Sequence, residues 1–233
     1  MFYLRNKIKK SHQTIYNSII NLGYKDTALT YIFETSQGIK KVCYVSDLFN
    51  NIRNTEKAAL NHLKKKSKIL DVGAGAGRIS LYLQKNKFNV TALEKSKVIC
   101  DILKKRGLKK IVNADIFRYF PHEKYDTAFF FNTWSILGRD RNSIDRIFTL
   151  LKNRLLNKES SIFFVFKSPF VVKDNLIRRR FIFNNQKSFW FKSYFFDSKK
   201  IISIGENHGW RVKEFYVDNT TQYFLIMKNR LCF

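Results

Sequence analysis

Residues 68–80 read Lys-Ile-Leu-Asp-Val-Gly-Ala-Gly-Ala-Gly-Arg-Ile-Ser. The first five form a short apolar strand carrying one acid, Asp71. Three glycines follow at alternate positions, Gly73, Gly75 and Gly77. Glycine reaches positive φ without steric cost and lets a ligand approach the backbone closely. From Arg78 to Lys85, with Ile79, Leu81 and Leu83, the pattern is helical. The first N–H groups of such a helix lack intrahelical partners and face the turn. The spacing departs from the dinucleotide fingerprint G-x-G-x-x-G. Counted from Gly73 or Gly75, the last glycine would fall at Arg78 or Ser80. Asp71 would also repel a pyrophosphate, whereas it would attract an ammonium or a sulfonium.

On the C-terminal side of this stretch, strands and helices alternate. Residues 89–94 read as a second strand and 97–105 as a helix stopped by Gly107. A third strand covers 109–115. A fourth, Tyr125 to Asn132, is apolar throughout and so buried on both faces. A helix over 143–156, a fifth strand at 161–167 and a helix over 198–208 lead to two closing strands at 210–217 and 221–228. This order predicts an α/β fold. Its sheet has seven mostly parallel strands with an antiparallel last strand. Before it, residues 8–22 are loosely helical, two strands flank Ser36-Gln37-Gly38 as a hairpin, and 50–66 reads as a helix. The division expected is an extension over 1–48 and a domain over 49–233. Within that domain, residues 168–196 form an inserted β-hairpin turning at Asn184 to Lys187.

The strand, glycine turn and preceding acid resemble motif I of class I, Rossmann-like methyltransferases that use S-adenosylmethionine. The resemblance covers about residues 48–229. It implies S-adenosylmethionine as cofactor, cradled by Asp71, Gly73, Ala74, Gly75 and Gly77. It implies that Glu94, ending strand two, takes the ribose hydroxyls, with Lys95 beside it. Asp115 and Ile116 would flank the adenine, and Asn132 would close the pocket at the end of strand four. It also implies methyl transfer to an acceptor.

Ligands of open parallel sheets bind beyond the carboxyl ends of the strands. That rule selects Asn132 and Trp134 as candidates for the catalytic side. It leaves His122, Asp126 and His208 on the opposite rim, and His12 and His62 as surface or capping residues. No residue reads as a convincing general base. Transfer from a sulfonium needs one only when the acceptor must first lose a proton. The insert leaves strand five above the site and carries Phe189, Trp190 and Tyr194. With Trp134, these are the expected substrate-binding residues, for stacking on a flat acceptor. The N-terminal hairpin and the insert are expected to pair with each other and to roof the pocket.

The chain has 233 residues, 44 Lys and Arg against 18 Asp and Glu, and a net charge of +26. Such a field suits a polyanion, RNA above all. A bias toward A+T-rich codons explains the same lysines, since Phe, Tyr and Asn are abundant while Gly (9) and Pro (2) are scarce. The acceptor expected is a small or medium organic molecule. RNA and a non-catalytic cofactor-binding role are the alternatives. No apolar run reaches the roughly 18 residues of a membrane span. The first residues lack a signal-peptide pattern. Cys43, Cys100 and Cys232 give neither a disulfide framework nor a zinc pattern. A cytoplasmic protein without a metal is expected.

Overall fold

The computed structural model describes residues 10–50, 52–137, 140–167, 176–194, 198–217 and 222–229. The extension holds α1 (His12–Gly23), the hairpin β1 (Thr30–Thr35) and β2 (Lys40–Tyr44), and the short α2 (Ser46–Phe49). There follow α3 (Asn54–Leu60), β3 (Lys68–Val72), α4 (Arg78–Lys85), β4 (Asn89–Glu94), α5 (Lys97–Lys105) and β5 (Ile111–Asn113). Then come β6 (Tyr125–Phe131), α6 (Trp134–Leu137), α7 (Arg141–Leu150) and β7 (Leu156–Lys167). The insert contributes β8 (Leu176–Phe183), β9 (Gln186–Lys187) and β10 (Phe191–Tyr194). The chain closes with α8 (Ser198–Asn207), β11 (Trp210–Val217) and β12 (Gln222–Asn229).

The main sheet has seven strands in the order β11-β12-β7-β6-β3-β4-β5. Strands β3 to β7 pair in parallel. β12 lies antiparallel between β7 and β11. Its central strands are buried on both faces, as their unbroken apolar runs require. Leu70, Ala128, Phe130, Phe164 and Leu225 join the core beneath α7 and α8. Their chain neighbours Ile69, Phe129, Phe163 and Ile226 join the opposite core beneath α3 and α4.

A second sheet runs β10-β8-β1-β2, with β9 on β8. The extension and the insert therefore pair directly, through Ile32 with Ile182 and Phe33 with Phe181. Strand alternation gives this sheet one apolar face. Tyr31, Phe33, Phe181, Phe183 and Phe191 lie on it, in one core with Ile15 and Ile19 of α1 and Ile99 and Leu103 of α5. At roughly 25 cal/mol per Å² of apolar surface, that shared core fastens the sheet to the parallel domain.

Several element boundaries differ from the sequence reading. The helix expected over 50–66 is confined to Asn54–Leu60. The helix expected over 143–156 starts at Arg141, where Asp140 caps it by accepting from the Ser143 amide. It unwinds into a π turn at Leu151–Leu155, and β7 begins directly at Leu156. The third strand shortens to Ile111–Asn113. Cys232, Ser168 and the ends of the insert lie outside the described residues.

Candidate active site

The carboxyl ends of β3, β4, β5 and β6 open into one cavity of about 1140 Å³, covered by α1 and the second sheet. That exceeds the roughly 300–1,000 Å³ of ordinary small-molecule pockets and leaves room for two ligands side by side.

The glycine turn forms its floor. Gly73, Gly75 and Gly77 all have positive φ, at 69°, 54° and 84°. The turn is tied down by bonds from the amides of Gly73 and Ala74 to the Leu93 carbonyl. A Cβ on Gly73 would come within 2.2 Å of Thr133 Cγ2, and one on Gly75 within 3.2 Å of the Tyr16 hydroxyl. Gly77 does a different job. It faces Leu103 of α5, where a Cβ would meet Cδ2 at 2.4 Å, and it does not line the cavity. It is a packing glycine at the cap of α4.

Two buried carboxylates look onto this floor. Asp71 accepts a 2.6 Å bond from Ser80 Oγ. Burial pushes its carboxyl up to about 6, against the opposing pull of Ser80 and Arg78. Glu94 takes the Gly75 amide on Oε2 at 3.2 Å and the Ser96 amide on Oε1 at 2.9 Å. Burial raises it too, and those backbone donors oppose the rise. An ionised carboxylate has about four acceptor positions, so Glu94 keeps capacity for the hydroxyls of a ligand. At the next strand end Asp115 is exposed at the cavity wall and caps the following turn by accepting from the Phe117 amide at 2.9 Å. Ile116 beside it is buried.

Every residue named above for the cofactor lines this cavity except Gly77. Asn132 does so in a left-handed conformation, φ 59°, with its amide nitrogen 3.4 Å from Glu56 Oε1. Trp134 also lines it but is 2% exposed. Its ring sits among Phe130, Phe148 and Phe164, so it serves as wall. Of the substrate residues, Tyr194 reaches the cavity, whereas Phe189 and Trp190 do not. The physical reason is register: Phe191 pairs with Arg179 on the inner face, which turns Trp190 outward. There it is 42% exposed, with Arg180 lying 4.4 Å over its ring.

The structure adds residues that the sequence did not single out. Tyr16 and His12 of α1 line the cavity, so His12 is not a plain surface residue. Burial raises the Tyr16 hydroxyl well above the ordinary phenol range, which keeps it protonated as a donor. Glu56 is fully buried and grips Arg78, whose side chain lines the cavity. Arg106 donates to the Ala76 carbonyl of the turn and to the Phe49 carbonyl of α2. Among the described residues no cluster of His, Cys, Asp or Glu could hold a metal ion, and no helix is long and apolar enough to cross a membrane.

Residues 69–154 match the family model of the methyltransferase domain. The matched stretch holds the glycine turn and the strands around it, and the seven-stranded sheet has the Rossmann-like order of strands. A methyltransferase of Bacteroides fragilis, described as S-adenosylmethionine-dependent and solved with S-adenosyl-L-homocysteine, superposes with a TM-score of 0.79 at 20% identity. The match covers 91% of this chain and 93% of that one. An S-adenosylmethionine-dependent methyltransferase of Methanosarcina mazei superposes with a TM-score of 0.63 at 16% identity, covering 77% and 98%. One from Clostridium acetobutylicum gives 0.58 at 16%, covering 75% and 88%. No curated protein matches the chain in sequence.

Proposed function

We propose that the chain is an S-adenosylmethionine-dependent methyltransferase acting on a small or medium organic acceptor. The observation that carries this reading is the pairing of Gly75 with Glu94. The amide of the middle glycine of the turn fixes one oxygen of a buried carboxylate at the cavity wall, 3.2 Å away. The donor set suits the cofactor. Asp71 faces its cationic end, the glycines leave a groove that side chains would fill, Glu94 takes the ribose, and Asp115 and Ile116 take the adenine. The B. fragilis protein holds the demethylated form of that cofactor. The cofactor supplies an activated methyl group. The residues here orient it, and the roof excludes water from the reacting atoms. The size of the cavity and its cover supports a molecule held inside over a polymer held across the mouth.

Calorimetry with S-adenosylmethionine, S-adenosylhomocysteine and NAD tests the cofactor. Micromolar binding of NAD with none of the other two would overturn the reading. Tritiated-methyl incorporation into a metabolite extract, set against total RNA, tests the acceptor. RNA methylation is the second reading. It is favoured by the outer face of the roof, where Arg178, Lys187, Lys192 and Trp190 are all exposed.

A further inference from the structure

Three neighbouring arginines of β8 divide between two environments. Arg178 is exposed, and Arg180 pairs with Glu34 on the outer face of the roof. Arg179 points the other way, as alternation requires. It pairs in register with Thr35 on one side and Phe191 on the other, and it lines the cavity between Ile177 and Phe181. Its guanidinium lies 5.0 Å over the Phe33 ring, and Nη2 donates to Ser193 Oγ. A cation has thus been set among the rings of the inner face, beside Phe33, Phe181 and Phe191. Burial lowers its pKa to about 10, so it remains charged at neutral pH.

Its place within the cavity matters as much as its burial. The cofactor residues cluster on the sheet ends below. Arg179 belongs to the roof, with Lys41 of β2 on the same inner face and Arg146 of α7 in the adjoining wall. Arg146 is held over the Phe117 ring at 4.9 Å. Besides Asp71, Glu94 and Asp115 at the strand ends, the acid that lines the cavity is Asp47. The acceptor side therefore presents rings to stack a flat or apolar body and an excess of positive charge. An arginine fork is shaped for the two oxygens of a carboxylate or a phosphate.

We propose that the acceptor is an anion, an apolar body bearing a carboxylate or phosphate monoester that pairs with Arg179. The proposal rests on the methyltransferase reading and names the substrate class of that same site.

The test uses the full chain loaded with S-adenosylhomocysteine. The probes are a panel of aromatic and aliphatic carboxylic acids, each paired with its primary amide, and a parallel panel of phosphate monoesters, each paired with its parent alcohol. Ligand-detected NMR reads binding. The expected result is at least one anion binding about tenfold or more tighter than its neutral partner, a difference of about 1.4 kcal/mol. The panel that supplies it tells carboxylate from phosphate. Arg179→Met should erase the preference, and Arg179→Lys should keep part of it. Both should bind S-adenosylhomocysteine within about twofold of wild type. Absence of any anion preference in the wild type overturns the proposal, whether or not the variants fold. So does a preference unchanged in Arg179→Met, or methylation of RNA that Arg179→Met leaves intact. Failure of S-adenosylhomocysteine to bind the wild type overturns the cofactor reading instead, which keeps the two failures apart.

Discussion

Glu56 and Arg78 clasp each other across the glycine turn. One carboxylate oxygen accepts from Nη1 and the other from Nη2, the latter at 2.6 Å. Glu56 sits on α3, before the first core strand, and Arg78 opens α4 just after the turn. The same carboxylate accepts the Arg53 amide at 2.8 Å. The pair thus ties α3, which precedes the glycine turn, to α4, which follows it. Its worth is geometric, because desolvating two charges offsets most of their attraction.

Removing one partner leaves the other charged and buried. Glu56→Ala should cost about 3–5 kcal/mol, read as a lower urea midpoint with an unchanged slope. Glu56→Gln keeps hydrogen bonding to Arg78 and should lose less. Equal stability of Glu56→Ala and wild type would show that the pair does not hold the turn.

Gly73 is confined twice over, by its φ of 69° and by Thr133 Cγ2 at 2.2 Å from where a Cβ would lie. Gly73→Ala should destabilise by at least about 1–2 kcal/mol from backbone conformation alone, with a further cost from the contact. Thr133→Ser deletes that methyl and keeps the hydroxyl that bonds the Val72 carbonyl at 2.9 Å. The double variant should therefore be more stable than the sum of the singles, which a set of four thermal melts measures.

Asp71 carries a pH signature. Its pKa is pushed up to about 6, above the roughly 3.9 of an unfolded chain. The folded protein then holds a proton that the unfolded chain has released. The stability contributed by this group is complete below pH about 4 and is lost as pH rises through about 6. A cationic ligand reverses the preference, because it favours the ionised acid. Affinity for S-adenosylmethionine should weaken as pH falls below about 6, and Asp71→Asn should remove most of that dependence. Calorimetry at several pH values decides it, and a flat profile in the wild type would count against an ionised Asp71 in the complex.

The roof's two faces should respond differently. Trp190→Ala acts on the outer face and should change cofactor affinity and methyl incorporation by less than about twofold. Phe33 lies in the inner face, 4.7 Å from the Phe181 ring. Phe33→Ala should lower methyl incorporation well beyond that while sparing cofactor affinity. A radiometric assay on the metabolite extract reads both, and the reverse ranking would mean that the cavity is not where the acceptor sits.

The sheet and the glycine turn were legible because they depend on local signals. Apolar runs such as Phe129 to Phe131 can only be doubly buried strands, and a glycine turn between strand and helix has few uses. The pairing of hairpin with insert was also within reach, since both carry aromatics with no other place to be buried. What escaped was register. The sequence Ser-Phe-Trp-Phe shows that rings are present, but one residue of offset decides whether Trp190 or Phe191 faces the cavity. The same parity hid Arg179 within a run of three arginines. Glu56 escaped because its partner lies 22 residues away, across a turn that periodicity does not cross.

The roof also sets a timetable for synthesis. β1 has β2 on one edge and β8 on the other, and Glu34 and Arg180 stand 146 residues apart in the chain. While the ribosome is still making the parallel domain, β1 keeps one edge open, with its backbone N–H and C=O groups unpaired. Such an edge is a template for a second nascent chain. A protein truncated after β7 would hold the five parallel strands and still carry that open edge. Its inner rings, Tyr31 and Phe33, would lack the strand that completes their cover.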